Sequence, residues 1–272
     1  MNEISVQESD SPLIISVPHA GTQIPADIKD RMRPESLFLP DTDWFVDKLY
    51  GWARVEHASL VSTAWSRYVI DVNRPPDDSP MYERPGTGLV PLETFAGDPI
   101  YRQGRAPEAS EISQRLEAYW KPFHRALDEQ INRVREEHGF GVLLDGHSIR
   151  SVLPRLFDGE LPHLNLGSHG GASADQSLVD LACGVLNESD FDTIRDGRFK
   201  GGYITRHYGR PQEGVHAVQL EIAQRAYMAE FPPHWDVARA KPLIRVLKRL
   251  VAALETWRPN VSADQSPNRS FD

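Results

Sequence analysis

A short apolar run, GVLL at residues 141–144, is followed directly by DGHS at residues 145–148. Such a run, with glycine on both sides, is typical of a strand that is buried on both faces of a sheet. In open α/β sheets, ligands bind beyond the carboxyl ends of the strands. Asp145, His147 and Ser148 are therefore the first candidates for a functional site.

Along the rest of the chain, predicted strands alternate with predicted helices. Leu13–Val17 is apolar and β-branched and leads into His19. Further strands are predicted at 60–63, 68–72 and 215–222, and helices at 43–52, 108–137 with a break at Pro122, 173–186 and 237–257. This order predicts an α/β fold with a mostly parallel sheet covered by helices on both faces.

Composition narrows the class of protein. The chain has 272 residues, a net charge of −9, 40% hydrophobic residues and 25% charged residues, as in a folded globular protein. We expect one domain over residues 1–258 and a disordered polar tail at 259–272. The acidic balance disfavours nucleic-acid binding, and no apolar run is long enough to predict a membrane span. The sequence gives no indication of the oligomeric state.

Cysteine usage indicates the compartment. Cys183 is the only cysteine, so an intrachain disulfide and a cysteine-rich metal site are excluded. Residues 1–10 do not combine a basic region with an apolar stretch, so no signal peptide is predicted. We therefore expect a cytoplasmic protein.

Polar residues at strand ends suggest a metal site. Two histidines and one carboxylate around an open position suit catalytic Zn²⁺, which lowers the pKa of bound water to about 7. His19 and His147 are the histidines, and Asp41 and Asp43 the nearby acids. The pattern also fits two histidines with a purely structural role and aspartates that cap the following helix. Glu221, a charge within an apolar run, would serve in proton transfer or pair with Arg225.

Two arginines flank the predicted strand at 68–72. Arg67 and Arg74 would lie about 20 Å apart on an extended chain, too far to share a pocket unless the strand bends. Arg74, at the carboxyl end, is the better pocket candidate. Its guanidinium suits a carboxylate, which suggests an acidic substrate, with a surface ion pair as the alternative.

Six segments carry a family resemblance. They are SVPHAG (16–21), LPDTDW (39–44), SRYVIDVNRPP (66–76), LLDGHS (143–148), FKGGYITRHYGRP (199–211) and HAVQLEI (216–222). Together they resemble the N-formylglutamate amidohydrolase (deformylase) family of histidine catabolism. Because that family is related to zinc carboxypeptidases and aspartoacylases, the resemblance implies a phosphorylase/hydrolase-like α/β fold. It also implies hydrolysis of N-formyl-L-glutamate with one divalent metal ion, expected to be Zn²⁺.

The same resemblance suggests individual roles. The segments DVNR (71–74) and DGH (145–147) are similar to the aspartoacylase DLNR and DLH segments, which hold a substrate carboxylate and supply a zinc ligand. Those relatives take two ligands from an HxxE pair, but Thr22 stands three residues after His19. The acidic ligand must therefore come from elsewhere, and Asp43 is expected to supply it, with Asp41 as the fallback.

These expectations define a complete site. The metal ligands would be His19, Asp43 and His147, and Glu221 would move the proton. Substrate contacts are expected from Asn73, Arg74, Arg67, Arg206 and His207. Two alternatives remain at this point: a related metal-dependent N-acyl amino acid deacylase or carboxypeptidase-like hydrolase, and a non-catalytic protein that binds an acidic metabolite.

Overall fold

In the computed structural model, which describes residues 3–54, 56–81 and 87–259, seven strands form one sheet. They are β1 (Ile4–Gln7), β2 (Leu13–Val17), β3 (Ser59–Thr63), β4 (Gly141–Ile149), β5 (Leu164–Gly167), β6 (Thr193–Arg195) and β7 (Val215–Ala223). Their order across the sheet is β1-β3-β2-β4-β7-β5-β6. Only β1 with β3 and β5 with β7 pair in antiparallel fashion. The predicted mostly parallel sheet is confirmed.

Helices cover both faces of this sheet. They are α1 (Ala26–Lys29), α2 (Val46–Tyr50), α3 (Ala109–Arg115), α4 (Lys121–His138), α5 (Gln176–Asn187), α6 (Tyr203–Tyr208) and α7 (Val237–Thr256). A separate hairpin consists of β8 (Met228–Ala229) and β9 (His234–Trp235). Because side chains alternate along a strand, Ile15 joins the core beneath α2, α5 and α7, whereas Ile14 packs with α4 and α6.

The long helical stretch that the sequence predicts around residues 108–137 is present, and it is continuous from Ala109 to His138. A wide π-helical turn, Leu116–Trp120, joins α3 to α4. Pro122 follows this turn directly, in the first turn of α4. The helix therefore changes its hydrogen-bonding pattern before Pro122 but is not split there.

The strand predicted at residues 68–72 is wrong. These residues form turns, although Tyr68, Val69, Ile70 and Val72 are all buried. Tyr68 and Val69 pack in one apolar cluster and Ile70 and Val72 in another. An apolar, β-branched run whose side chains enter two different clusters resembles a strand in composition, although its backbone does not form one. The bend removes the separation expected between the flanking arginines.

The capping role open to Asp41 and Asp43 is also excluded. Helix α2 begins only at Val46, and its N-cap residue is Phe45, without a side-chain cap. None of the helices in the described ranges combines the length and apolar character needed to cross a bilayer. Of the predicted disordered tail, residues 260–272 lie outside the described residues.

Candidate metal centre and active site

Three side chains from separate segments meet beyond β2 and within the carboxyl half of β4. His19 follows β2, Asp43 lies in the loop before α2, and His147 belongs to β4. All three are buried, and their possible ligand atoms lie within 4.8 Å of one another. Asp43 Oδ2 is 3.0 Å from His147 Nδ1 and 3.8 Å from His19 Nδ1. This group could hold a metal ion.

The outward-facing ring nitrogens are held by two further carboxylates. His19 Nε2 lies 2.8 Å from Asp71 Oδ1, and His147 Nε2 lies 2.9 Å from Asp145 Oδ2. Carboxylates that accept from the second nitrogen of a ligating histidine fix its tautomer and orientation. His19 Nδ1 is buried and has no hydrogen-bond partner in the described structure. A bound cation would satisfy this nitrogen, so the donor set fits a metal.

The pKa shifts of His19 and Asp43 agree with this fit, whereas His147 would first have to lose a proton. Burial and then the charge of Arg67 lower the pKa of His19, against the opposing effect of nearby carboxylates, and leave a neutral donor. Burial would lower the pKa of His147, but Asp145 and Asp43 raise it well above its usual value. Burial would raise the pKa of Asp43, but the hydrogen bond with His147 and nearby positive charges lower it. Metal binding would therefore displace a proton from His147.

Glu221 stands beside this centre on β7, paired in register with His147 of β4. It is buried, and Gln219 Nε2 donates to its Oε2 at 3.0 Å. Burial is the main cause that raises the pKa of Glu221 to about 8, since the charges of His147 and Arg67 offset it only in part. Such a carboxyl group can exchange a proton near neutral pH. The alternative pairing with Arg225 is wrong, because Arg225 Nε pairs instead with Glu160 at 3.1 Å.

Asp41, the fallback ligand, is occupied elsewhere. Its Oδ2 accepts hydrogen bonds from Tyr68 Oη at 2.7 Å and from the Phe95 backbone N–H at 2.8 Å. Burial raises its pKa. Asp41 is absent from the group whose atoms converge, and it fixes the Phe95 segment of the cavity wall instead.

A cavity of about 620 Å³, including its mouth, opens onto the centre. Its lining includes His19, Asp43, His147, Glu221, Asn73, Arg67, Arg74 and Arg198. Arg67 is deeply buried, forms ion pairs with Asp71 at 2.6 Å and Asp43 at 3.6 Å, and stacks over the Phe95 ring at 4.6 Å. Burial would lower the pKa of Arg67, but these acids raise it. Its charge is therefore balanced within the protein.

The segment that carries Asn73 and Arg74 is anchored to α6 and to the π-helical turn before α4. Asn73 Nδ2 lies 3.0 Å from His147 Nε2, and Asn73 Oδ1 accepts from the Ile204 N–H of α6 at 2.8 Å. Trp120 Nε1 donates to the Arg74 carbonyl at 3.0 Å, and Arg74 Nε donates to the Thr87 carbonyl at 2.9 Å. The bonds of Ile204 and Trp120 hold the segment in place, and the bond to the Thr87 carbonyl fixes the direction of the Arg74 side chain at the cavity wall.

Two predicted substrate contacts lie elsewhere. Arg206 donates to the carbonyls of Gly201 and Met81, and His207 is exposed and stacks on Tyr203. Neither lines the cavity. Sequence reasoning missed Arg198, which follows the unpredicted strand β6. It also gave no role to Asp71 and Asp145, although each lies two residues before a predicted site residue.

Comparisons with known proteins indicate the family of this chain. A family model described as N-formylglutamate amidohydrolase matches residues 11–228. The N-formylglutamate deformylase of Pseudomonas putida is 45% identical over 256 residues, which cover 93% of this chain and 96% of that protein. That of Pseudomonas aeruginosa is 43% identical over 260 residues, or 94% and 98% of the two chains. The crystal structure of N-formylglutamate amidohydrolase from Ralstonia eutropha JMP134 has a TM-score of 0.79 and 27% identity and covers 93% and 97% of the two chains. Similarity of this extent means that the chain belongs to the N-formylglutamate amidohydrolase family.

Proposed function

We propose that this protein hydrolyses N-formyl-L-glutamate to formate and L-glutamate, a step of histidine degradation. The observation that carries the proposal is the convergence of His19, Asp43 and His147 beside Glu221 in a cavity that also presents arginines. The names of the two Pseudomonas relatives support the same substrate. The single cysteine, Cys183, is consistent with our proposal of a cytoplasmic location.

His19, Asp43 and His147 would hold one divalent metal ion, and we propose Zn²⁺ because imidazole and carboxylate donors suit it. When bound, such an ion lowers the pKa of water and polarises a carbonyl oxygen. Asp71 and Asp145 keep the two imidazoles oriented. Their role is to make the site rigid before any substrate arrives.

Glu221 is the proposed general base and acid. It takes a proton from the attacking water, whose oxygen forms a bond to the formyl carbon. The carbon–nitrogen bond then breaks, and Glu221 returns the proton to the departing amine. The pKa of about 8, raised mainly by burial, suits a group that must both accept and release a proton.

Arg74, with Asn73 beside it, is proposed to bind a substrate carboxylate. The Arg74 fork is held at the cavity wall by its bond to the Thr87 carbonyl. Arg67 supports the site through its pairs with Asp71 and Asp43. We assign no substrate contact to Arg206 or His207, because neither lines the cavity.

Release of L-glutamate from N-formyl-, N-acetyl- and N-succinyl-L-glutamate, measured together with metal content, tests this function. We expect about one divalent ion per chain, loss of activity on chelation and a strong preference for the formyl substrate. Faster release from the larger acyl groups would support a general deacylase. Full activity without stoichiometric metal would exclude the proposed chemistry.

A further inference from the structure

Arg198 brings a second cation to the cavity from a different part of the chain. It lies in the segment between β6 and α6, whereas Arg74 lies in the segment that follows β3. Both residues line the same cavity as the metal-site histidines. The proposed hydrolytic step gives Arg198 no role.

The segment that carries Arg198 is held on both sides. Asp196 accepts hydrogen bonds from the Ser168 N–H at 2.7 Å and from its hydroxyl at 2.6 Å. The side chain of Asn165 binds both backbone groups of Phe199, at 2.6 Å and 3.2 Å. Arg198 Nε itself donates to the Leu156 carbonyl at 2.9 Å. A guanidinium held in this way loses little entropy when it binds a ligand.

The lining of the cavity suits a ligand with two carboxylates. Two guanidinium groups, those of Arg74 and Arg198, reach it from different segments of the chain. N-formylglutamate carries two carboxylates, one on each end of its carbon chain, and a guanidinium fork matches each of them.

We propose that Arg198 binds the side-chain (γ) carboxylate of the substrate and so determines the preference for glutamate, while Arg74 binds the α-carboxylate. The inference rests on the proposed function. The α-carboxylate shares a carbon with the formamide nitrogen, so it lies nearer the reacting bond. Arg74 directly follows Asn73, which contacts the metal-site residue His147. We therefore assign the α-carboxylate to Arg74.

The test compares N-formyl-L-glutamate with N-formyl-L-glutamine, which has nearly the same shape but no γ charge, on wild-type protein and Arg198→Gln. We expect the variant to lose roughly 100-fold in kcat/KM on the glutamate substrate, mainly through KM, because a buried polar contact is left unpaired. Its kcat/KM on the glutamine substrate should change by less than about 3-fold. Arg198→Lys should give an intermediate loss because it keeps the charge without the fork.

Arg210→Gln is the matched control, because it removes the same charge at an exposed position. Arg210 pairs with Glu213 at 3.4 Å and does not line the cavity. This variant should have wild-type kcat/KM on both substrates. Equal losses on both substrates in Arg198→Gln, or no loss on either, would overturn the proposal, as would a wild-type protein that does not distinguish the two substrates.

A product-binding measurement separates this inference from the proposed function. Calorimetric titration with L-glutamate and L-glutamine requires no turnover, so it remains informative if the wild-type protein releases no formate. Weaker binding of L-glutamate alone in Arg198→Gln supports the proposal, and equal effects on both amino acids contradict it. A thermal melt of each variant verifies folding, with Arg198→Lys as the second variant if Arg198→Gln does not fold.

Discussion

Asp71 holds two side chains of the site at once: its Oδ1 lies 2.8 Å from His19 Nε2, and its Oδ2 accepts from Arg67 at 2.6 Å. The carboxylate thereby orients the imidazole and holds the guanidinium that also faces Asp43 at 3.6 Å. Nearby positive charges hold the pKa of Asp71 well below its usual value, although burial acts to raise it. Asp71 therefore remains ionised across the physiological range and links the metal site to the cavity wall.

Asp71→Asn should weaken metal affinity by about 10- to 100-fold, because His19 loses the charged partner that orients it. Competition with a chromophoric chelator measures this affinity directly. Asp77→Asn, an exposed position in the same segment, is the control and should bind metal as the wild type does. Unchanged affinity in a folded Asp71→Asn protein would show that Asp71 does not support the ligand.

Glu221→Gln should retain the metal and lower kcat by roughly two orders of magnitude or more, since the amide cannot accept the proton of the attacking water. The substitution preserves shape and still allows a contact with Gln219. Elemental analysis and steady-state formate release measure the two properties on one sample. Glu213→Gln, at an exposed position paired with Arg210, controls for loss of a carboxylate. A kcat near the wild-type value would remove Glu221 from the mechanism.

Arg74→Lys should raise KM for N-formyl-L-glutamate about 10-fold or more with a smaller effect on kcat. Lysine keeps the charge but loses the fork and the Nε contact with the Thr87 carbonyl. Initial rates over a range of substrate concentrations separate the two parameters. Arg105→Lys, at an exposed position away from the cavity, is the control. If KM does not change, the carboxylate contact lies elsewhere.

The convergence of His19, Asp43 and His147 could be predicted because two of these residues follow or end apolar runs, and the carboxyl ends of parallel strands meet at one edge. The strand at 68–72 was wrong because burial selects the same side chains in turns as in strands. Because of this error, Arg67 and Arg74 were expected to lie far apart, whereas both line one cavity.

Local sequence patterns could not predict that Arg198 lines the cavity. They also could not predict the contacts that Arg206 and His207 make. Strand β6 has only three residues, too few for a recognisable alternation, so nothing marked Arg198 as a strand-end residue. Arg206 and His207 lie within a motif, but α6 directs their side chains to other contacts. Sequence motifs identify a segment, whereas the direction of each side chain is set by tertiary packing.

His124 links the stability of this site to pH. Its Nε2 donates to the Val72 carbonyl at 2.8 Å, so its Nδ1 must accept from Tyr208 Oη at 2.9 Å. The ring is buried and stacks on Trp120. Burial lowers the pKa of His124 to about 3, so the folded protein keeps it neutral at pH values where the unfolded chain protonates it.

The free energy of unfolding should therefore fall as the pH decreases from about 6.5 towards 3, with a contribution from His124 of about 1.4 kcal/mol per pH unit within this window. Above pH 6.5 both states are neutral and His124 contributes no slope. Denaturant unfolding at pH 7, 6 and 5 measures this dependence, and His124→Gln should reduce the slope by about one proton. His234→Gln, an exposed histidine of the β8–β9 hairpin, is the control. An identical slope in His124→Gln would mean that His124 does not titrate between the two states.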